Sequence, residues 1–376
     1  MQRTSLLLLL LFGLFASPSL SAAETPKSSV VLPPGPANPR NSEGDVVQLK
    51  DGNVLLVYTH FDGGSGDHAK AHLASRISED GGKTWSEEDK VVVENEAGLN
   101  VMSVSLLRLA DGRLALFYLR KNSHTDCRPY MRISTDEGKT WGEPVTVIGE
   151  KDLGYYILNN DRAVQLSNGR LVLPVAQHVG PGMPKRNNAA AILVYYSDDA
   201  GETWQRSEYA ARPPKRNGQD VISQEPGVVE LKDGRLMMWI RTNAGSQFVT
   251  FSRDKGDTWS QLKPSDMKSP LAPATIERIP TTGDLLLIWN DHSEIPDALK
   301  GKRTPLCSAI SKDDGQTWTN VKTLEDNPHG WYCYIALDFI EGNAVMAYCA
   351  GDRRENNGLA VTNTQCLPID WFYETE

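Results

Sequence analysis

The chain has 376 residues, with 48 acidic against 39 basic side chains and a formal net charge of −9. That balance excludes a nucleic-acid surface, which needs a basic field. Beyond residue 23 no segment approaches the roughly 18 consecutive apolar residues of a membrane span, so no membrane span is expected, and the length suffices for a sizeable core.

At the start, Arg3 precedes a leucine-rich run over residues 6–14, and Ser21-Ala22-Ala23 offers a small-residue cleavage site. This is the layout of a secretory leader over residues 1–23. The expected protein is therefore exported, secreted or periplasmic, as a single domain over residues 24–376. Ser29–Leu32 is a short β-prone piece, and Pro33-Pro34-Gly35-Pro36 after it has linker chemistry.

From there one phrase recurs: an apolar strand, a tight Gly turn and a second apolar strand. It occupies residues 45–58, 104–118, 162–175, 227–240, 274–289 and 334–348. Asp-Gly, Asn-Gly or Glu-Gly between β-rich runs is a strong hairpin signal. Between the hairpins an octapeptide, Ser-x-Asp-x-Gly-x-Thr-Trp, stands at 78–85, 134–141, 197–204, 252–259 and 311–318. Its Asp can accept bonds from backbone N–H groups across a turn, its Gly permits φ > 0, and its Trp is an apolar wedge. Five copies of one turn do structural work, not catalysis. A repeat of about 58 residues implies units that bury their faces against neighbours. Six hairpins with five boxes imply an all-β, six-bladed β-propeller, with Ser29–Leu32 as the outer strand of the blade that the C-terminus builds. Such a seam removes an open sheet edge. No sustained 3.6-residue period is present, so helix is expected to be minor.

Five cysteines, Cys127, Cys307, Cys333, Cys349 and Cys366, show no zinc-type spacing. Cys333 and Cys349 face each other across the last hairpin; buried thiols or at most one disulfide are expected. His68, Lys70 and His72 share a strand face, but two His without a fixed carboxylate partner make no metal site. No metal and no organic cofactor are expected.

In a propeller the inner strands converge on one central depression, so residues just before each hairpin can meet there. Those positions carry Arg40, Glu43 and Asp45 in the first unit, Asn160, Asp161 and Arg162 in the third, Glu225 in the fourth, and Tyr332 and Tyr334 in the sixth. As a set, polar residues at the starts of apolar strands fit a binding site better than packing.

The boxes and the six hairpins together resemble the sialidase (neuraminidase) family, exo-acting glycosidases that remove terminal sialic acids. The resemblance covers nearly the whole chain after the leader. It implies that Glu225, just before the fourth hairpin, and Arg241, ending it, belong to the site. Arg303, eight residues ahead of Ser311, matches a further family arginine. Tyr334 matches the Tyr that opens the last hairpin, with Tyr332 as the alternative. Asp67, eleven residues ahead of Ser78, matches the acid/base, with Asp62 as the alternative. The first family arginine is normally followed by Ile-Pro; here Arg40 is followed by Asn41-Ser42-Glu43. Glu43, Asp161 and Arg162 would then reshape the substrate pocket.

Chemistry agrees with these roles. Sialic acid carries a carboxylate on its anomeric carbon, and the planar fork of arginine suits that anion. A neutral Tyr oxygen avoids the repulsion that a carboxylate nucleophile would meet, and a neighbouring Glu can take its proton; sialidases with a Tyr nucleophile are a known exception to the two-carboxylate rule. The resemblance thus implies a retaining hydrolase with Tyr334 as nucleophile, Glu225 as its base, Asp67 as acid/base, and Arg40, Arg241 and Arg303 as the clamp. Its partner would be the terminal acidic sugar of a glycan or glycoconjugate, and the protein a monomer. Two alternatives stay open: a glycosidase or lyase acting on a uronic-acid-type sugar, and a non-catalytic carbohydrate-binding propeller.

Overall fold

The computed structural model describes residues 28–183, 185–208 and 210–374; the expected leader lies outside them. Within these residues the fold is all-β, its only helical elements three 3₁₀ turns at Glu150–Asp152, Asp297–Leu299 and Ile369–Tyr373. No helix among them is long and apolar enough to cross a membrane.

The strands form five sheets. Arg40–Gln48, Val54–Phe61, Ala71–Ser78 and Lys90–Val93 make one antiparallel meander. Ser223–Glu230 opens a second four-stranded sheet and Thr275–Arg278 a third. In the fourth, Gly330–Ile340, Asn343–Asp352 and Thr362–Pro368 are joined by Ser29–Leu32, which pairs antiparallel with Thr362–Pro368. The start of the described chain therefore covers the edge of the sheet that its end builds. A nine-stranded sheet consists of two meanders, one opened by Asn100–Arg108 and one built on Leu171–Val179. They are joined by a single parallel pairing, Tyr155 with Cys127.

The second strand of each hairpin is apolar on both faces because both faces are covered. Val54, Leu56, Val57 and Tyr58 are all fully buried, so the strand reads as a continuous apolar run rather than an alternating one. The cores lie between neighbouring meanders. Leu55 and Val57 cluster with Leu114 and Leu116 of the next unit, and Val54 and Leu56 with Ala336 and Val345 of the last.

The octapeptides explain how the meanders are held at this spacing. In all five, the Ser hydroxyl donates to the Asp carboxylate and accepts the Gly N–H. The same Asp oxygen also accepts the Thr amide, and the other carboxylate oxygen accepts the Thr hydroxyl. Those Thr hydroxyls, with the Thr amides, hold Asp136, Asp199 and Asp313 down at about 2. The turn then sets its Gly against the preceding unit. A Cβ at Gly201 (φ 93°) would come within 2.3 Å of Met131 Cε, and one at Gly82 (φ 90°) within 2.6 Å of Val345 Cγ1. Gly82 belongs to the first meander and Val345 to the last, so the contact runs from the final unit back to the first.

One feature departs from the expected hairpins. The third inner strand is broken into Tyr155–Ile157 and Val164–Gln165, both paired with Leu171–Val179. The interruption holds Asn160, whose amide donates to Gly44 O at 2.9 Å and Tyr334 O at 3.0 Å, tying three units together. All five cysteines are free thiols, with Cys333 and Cys349 directly opposite across the last hairpin.

Candidate active site

Four inner strands share one local device. In Arg40–Gln48, Asn100–Arg108, Ser223–Glu230 and Gly330–Ile340 the register slips between Ser42 and Asp45, Met102 and Ser105, Gln224 and Gly227, and Cys333 and Ala336. At each slip two residues oppose one, which is a β-bulge. The first bulged residue is left-handed in every case: Glu43 (φ 54°), Ser103 (φ 58°), Glu225 (φ 50°) and Tyr334 (φ 58°). None is glycine, so each position carries a backbone cost of about 1–3 kcal/mol. The bulge re-aims the side chain that would otherwise follow the pleat. All four line one pit of about 420 Å³.

Within the pit the Tyr334 hydroxyl donates to Glu225 Oε1 at 3.4 Å. Arg241 Nη1 makes a short ion pair with the same Glu225 oxygen. The Arg303 guanidinium lies over the Tyr334 ring, 5.5 Å from its centroid, and 5.1 Å from that of Trp331. Burial, then the charge of Glu225, pushes the Tyr334 hydroxyl well above its ordinary value against the opposing pull of Arg303 and Arg241. Free Tyr334 is therefore a neutral phenol. Glu225 Oε2, Arg241 Nε and Arg303 Nη1 are buried without a hydrogen-bond partner. Orphaned charged groups facing one cavity carry a desolvation cost unless a ligand meets them.

Asp67 also lines the pit, on a loop between two strands of the first meander. Its backbone is pinned from the next unit: Lys121 Nζ donates to Asp67 O at 2.5 Å, and Asn100 Nδ2 to Asp67 O at 3.0 Å and Ala69 O at 2.7 Å. Its carboxylate, more than half exposed, pairs with Arg40 Nη1 at 2.6 Å. Burial works to raise its pKa, but the charge and hydrogen bond of Arg40 outweigh it and hold Asp67 below the usual range.

Several expected residues fall elsewhere. Arg40 is buried and does not line the pit; it donates to Ser42 Oγ, Ser65 O and Asp67, with a looser 3.4 Å contact to Glu43. Asp161 and Arg162, expected in the pocket, are not in it. Asp161 Oδ2 accepts the Leu337 amide at 3.2 Å, and Arg162 donates to Ala274 O and Asp161 O, both at 2.7 Å. The reason is the break in the third inner strand, which turns these side chains to bridge units instead. Of the paired alternatives, Tyr334 lines the pit and Tyr332 does not, while Asp62 contacts His72 at 3.3 Å. Sequence reasoning missed Lys121, Tyr155 and Arg186, which do line it, as does Asn159 at the start of the third unit. Lys121 had a signal: it is the last residue of the second strand of its hairpin, as Arg241 is the last but one in the fourth unit. A larger groove of about 970 Å³ runs between the first two meanders and holds none of the converging residues.

Asp161 belongs to an acid cluster in which Asp45 is buried and Asp161, Glu277 and Asp338 are half-buried. Burial pushes Asp161 up to about 7 and Asp338 to about 6, and raises Asp45 and Glu277 well above the carboxylate range. Between an unfolded value near 4 and these folded values, the folded chain holds more protons than the unfolded one. Stability therefore falls as pH rises through that window. The expected result is a Tm lower by roughly 2–5 °C at pH 8 than at pH 5. A Tm that rises across this range in calorimetry would contradict it.

An all-β scaffold thus turns a phenol, its carboxylate partner and two arginines onto one pit. A family model described as a BNR repeat-like domain matches residues 61–350, and the chain belongs to that family. A sialidase of Bacteroides fragilis is 30% identical over 54% of this chain and 36% of its own length. One of Micromonospora viridifaciens is 26% identical over 85% of this chain and 51% of its own length. The chain thus spans only about a third to a half of these relatives. The solved structure of a Hadza microbial sialidase, Hz136, superposes with a TM-score of 0.72 at 19% identity, covering 91% of this chain and 68% of that one; at that identity the likeness shows the fold.

Proposed function

We propose that the protein is an exo-acting, retaining glycoside hydrolase that removes terminal sialic acid from glycoconjugates. The observation that carries the reading is the contact of the Tyr334 hydroxyl with Glu225 at 3.4 Å, inside a pit walled by Arg241 and Arg303. The sialidases among its relatives support it.

Arg241 and Arg303 bind the sugar carboxylate and hold the anomeric carbon over Tyr334. Glu225 accepts the phenolic proton as the oxygen attacks, so no free phenolate has to be carried in the resting protein. Asp67, when protonated, gives its proton to the departing glycosidic oxygen. As a carboxylate it then takes a proton from the water that releases the sugar from Tyr334, and Glu225 returns the phenolic proton. Two displacements at one carbon leave its configuration unchanged. Arg40 acts here as the residue that positions Asp67.

The scaffold for this chemistry is a six-bladed propeller in one domain. The nine-stranded sheet supplies two blades, and the return contact of Gly82 on Val345 supports closure of the ring. Export by the leader over residues 1–23 would bring the pit to extracellular or periplasmic glycans. The test is turnover of a fluorogenic sialoside alongside a panel of uronides. Release from the sialoside alone is expected; release from uronides alone would replace sialic acid by another acidic sugar.

A further inference from the structure

Glu43 has no counterpart in the set of roles above, yet the fold treats it like Glu225 and Tyr334. It is the first residue of the same bulge on the same strand of its own meander, with the same left-handed backbone. It is 6% exposed and lines the pit, whereas its neighbour Arg40 does not. Its carboxyl is poorly engaged: the nearest contacts are Arg40 Nη2 at 3.4 Å and Ser42 Oγ at 3.5 Å. Arg40 makes its short bond to Asp67 instead, so one cation expected to meet the sugar carboxylate is committed elsewhere.

The geometry points to Glu43 as a substrate-contacting, specificity-determining residue whose carboxyl donates a hydrogen bond to the anionic group of the bound sugar. It rests on the proposed binding of an anionic sugar in this pit. Only the protonated form of Glu43 can make that bond, and the ionised form repels the ligand. Burial, opposed by Arg40, pushes the group up to about 7, with Asp67 and Glu225 raising it and Lys121 lowering it. Tyr334 and Cys349 also face it, from the last meander. Arg186, Arg241 and Arg303, with His68, complete the charged and titratable lining of the pit. The strained backbone then has a use, since it aims a proton-bearing acid at an anion where a strand residue would point along the pleat.

The experiment is calorimetric titration of the full protein with free N-acetylneuraminic acid from pH 5.5 to 9, in parallel with turnover of an aryl sialoside. The wild-type Kd is expected to rise about tenfold per pH unit above roughly pH 7, as one proton is lost per bound anion. The methyl ester of the sugar, which carries no charge, is expected to bind without that dependence. Glu43→Gln supplies a donor that does not titrate, so its Kd is expected to change less than about twofold from pH 6 to 9. A flat wild-type profile, or a Glu43→Gln profile that keeps the tenfold fall, overturns the inference. The wild-type and ester titrations decide the matter even where the variant fails to fold. Binding with this pH dependence but no turnover removes the hydrolase reading and leaves the role of Glu43. Turnover with flat binding does the reverse, and no binding at any pH removes both.

Discussion

Replacing Tyr334 with Phe is expected to lower kcat on an aryl sialoside by about 10³-fold or more, the scale on which loss of a nucleophile acts. The substitution removes one oxygen and leaves the ring on which Arg303 stacks at 5.5 Å. It also leaves Glu225 paired with Arg241. KM should therefore change by less than about threefold, since the carboxylate-binding arginines are untouched. A variant that keeps kcat within about tenfold of the parent in steady-state assays would remove Tyr334 from the chemistry.

The second large effect is expected at Asp67. Asp67→Asn should lower kcat/KM by about 10²–10⁴-fold on a sialoside whose aglycone is a sugar, the usual contribution of a positioned general acid. With a nitrophenyl aglycone, which departs without protonation, the loss should be at least tenfold smaller, as a rough bound. Because Arg40 holds Asp67 below the usual carboxylate range, the proton-bearing form is scarce near neutrality. The sign follows: kcat/KM on the sugar aglycone should rise as pH falls from 7 to 5, and the nitrophenyl substrate should show a flatter profile. Equal losses on both substrates across a leaving-group series would place the role of Asp67 outside proton transfer.

The parts of this site that can be read from the chain are those at a fixed distance from a repeated feature. Glu225, Arg241 and Tyr334 stand at hairpin starts and ends, and Arg303 at a set offset from a box, so the repeats index them. Asp161 and Arg162 obeyed the same index but not the same geometry. The strand they were expected to open is interrupted at that point, and Asp161 bonds to the Leu337 amide instead. Lys121 and Asn100 were less visible because they act on the backbone of Asp67 rather than through a motif. The bulges were invisible for another reason: left-handed backbone is usually announced by Gly or Asn, and here it falls on Glu, Ser and Tyr. What the residues do announce is the turn chemistry of the five boxes, whose Ser, Asp, Gly and Thr each make the bonds their types favour.

The central claim is that a neutral tyrosine, deprotonated by Glu225 as it attacks, forms the bond to the anomeric carbon. It is tested most directly with a sialosyl fluoride bearing a second fluorine at the neighbouring ring carbon. The fluoride departs readily, while the added fluorine destabilises the oxocarbenium-like transition state of release, so a covalent sugar accumulates. Digestion and peptide mass mapping should then find one sugar per chain on the peptide that carries Tyr334, and none in Tyr334→Phe. A label on Glu225 or Asp67, or no label in a protein that turns over sialosides, would contradict the account.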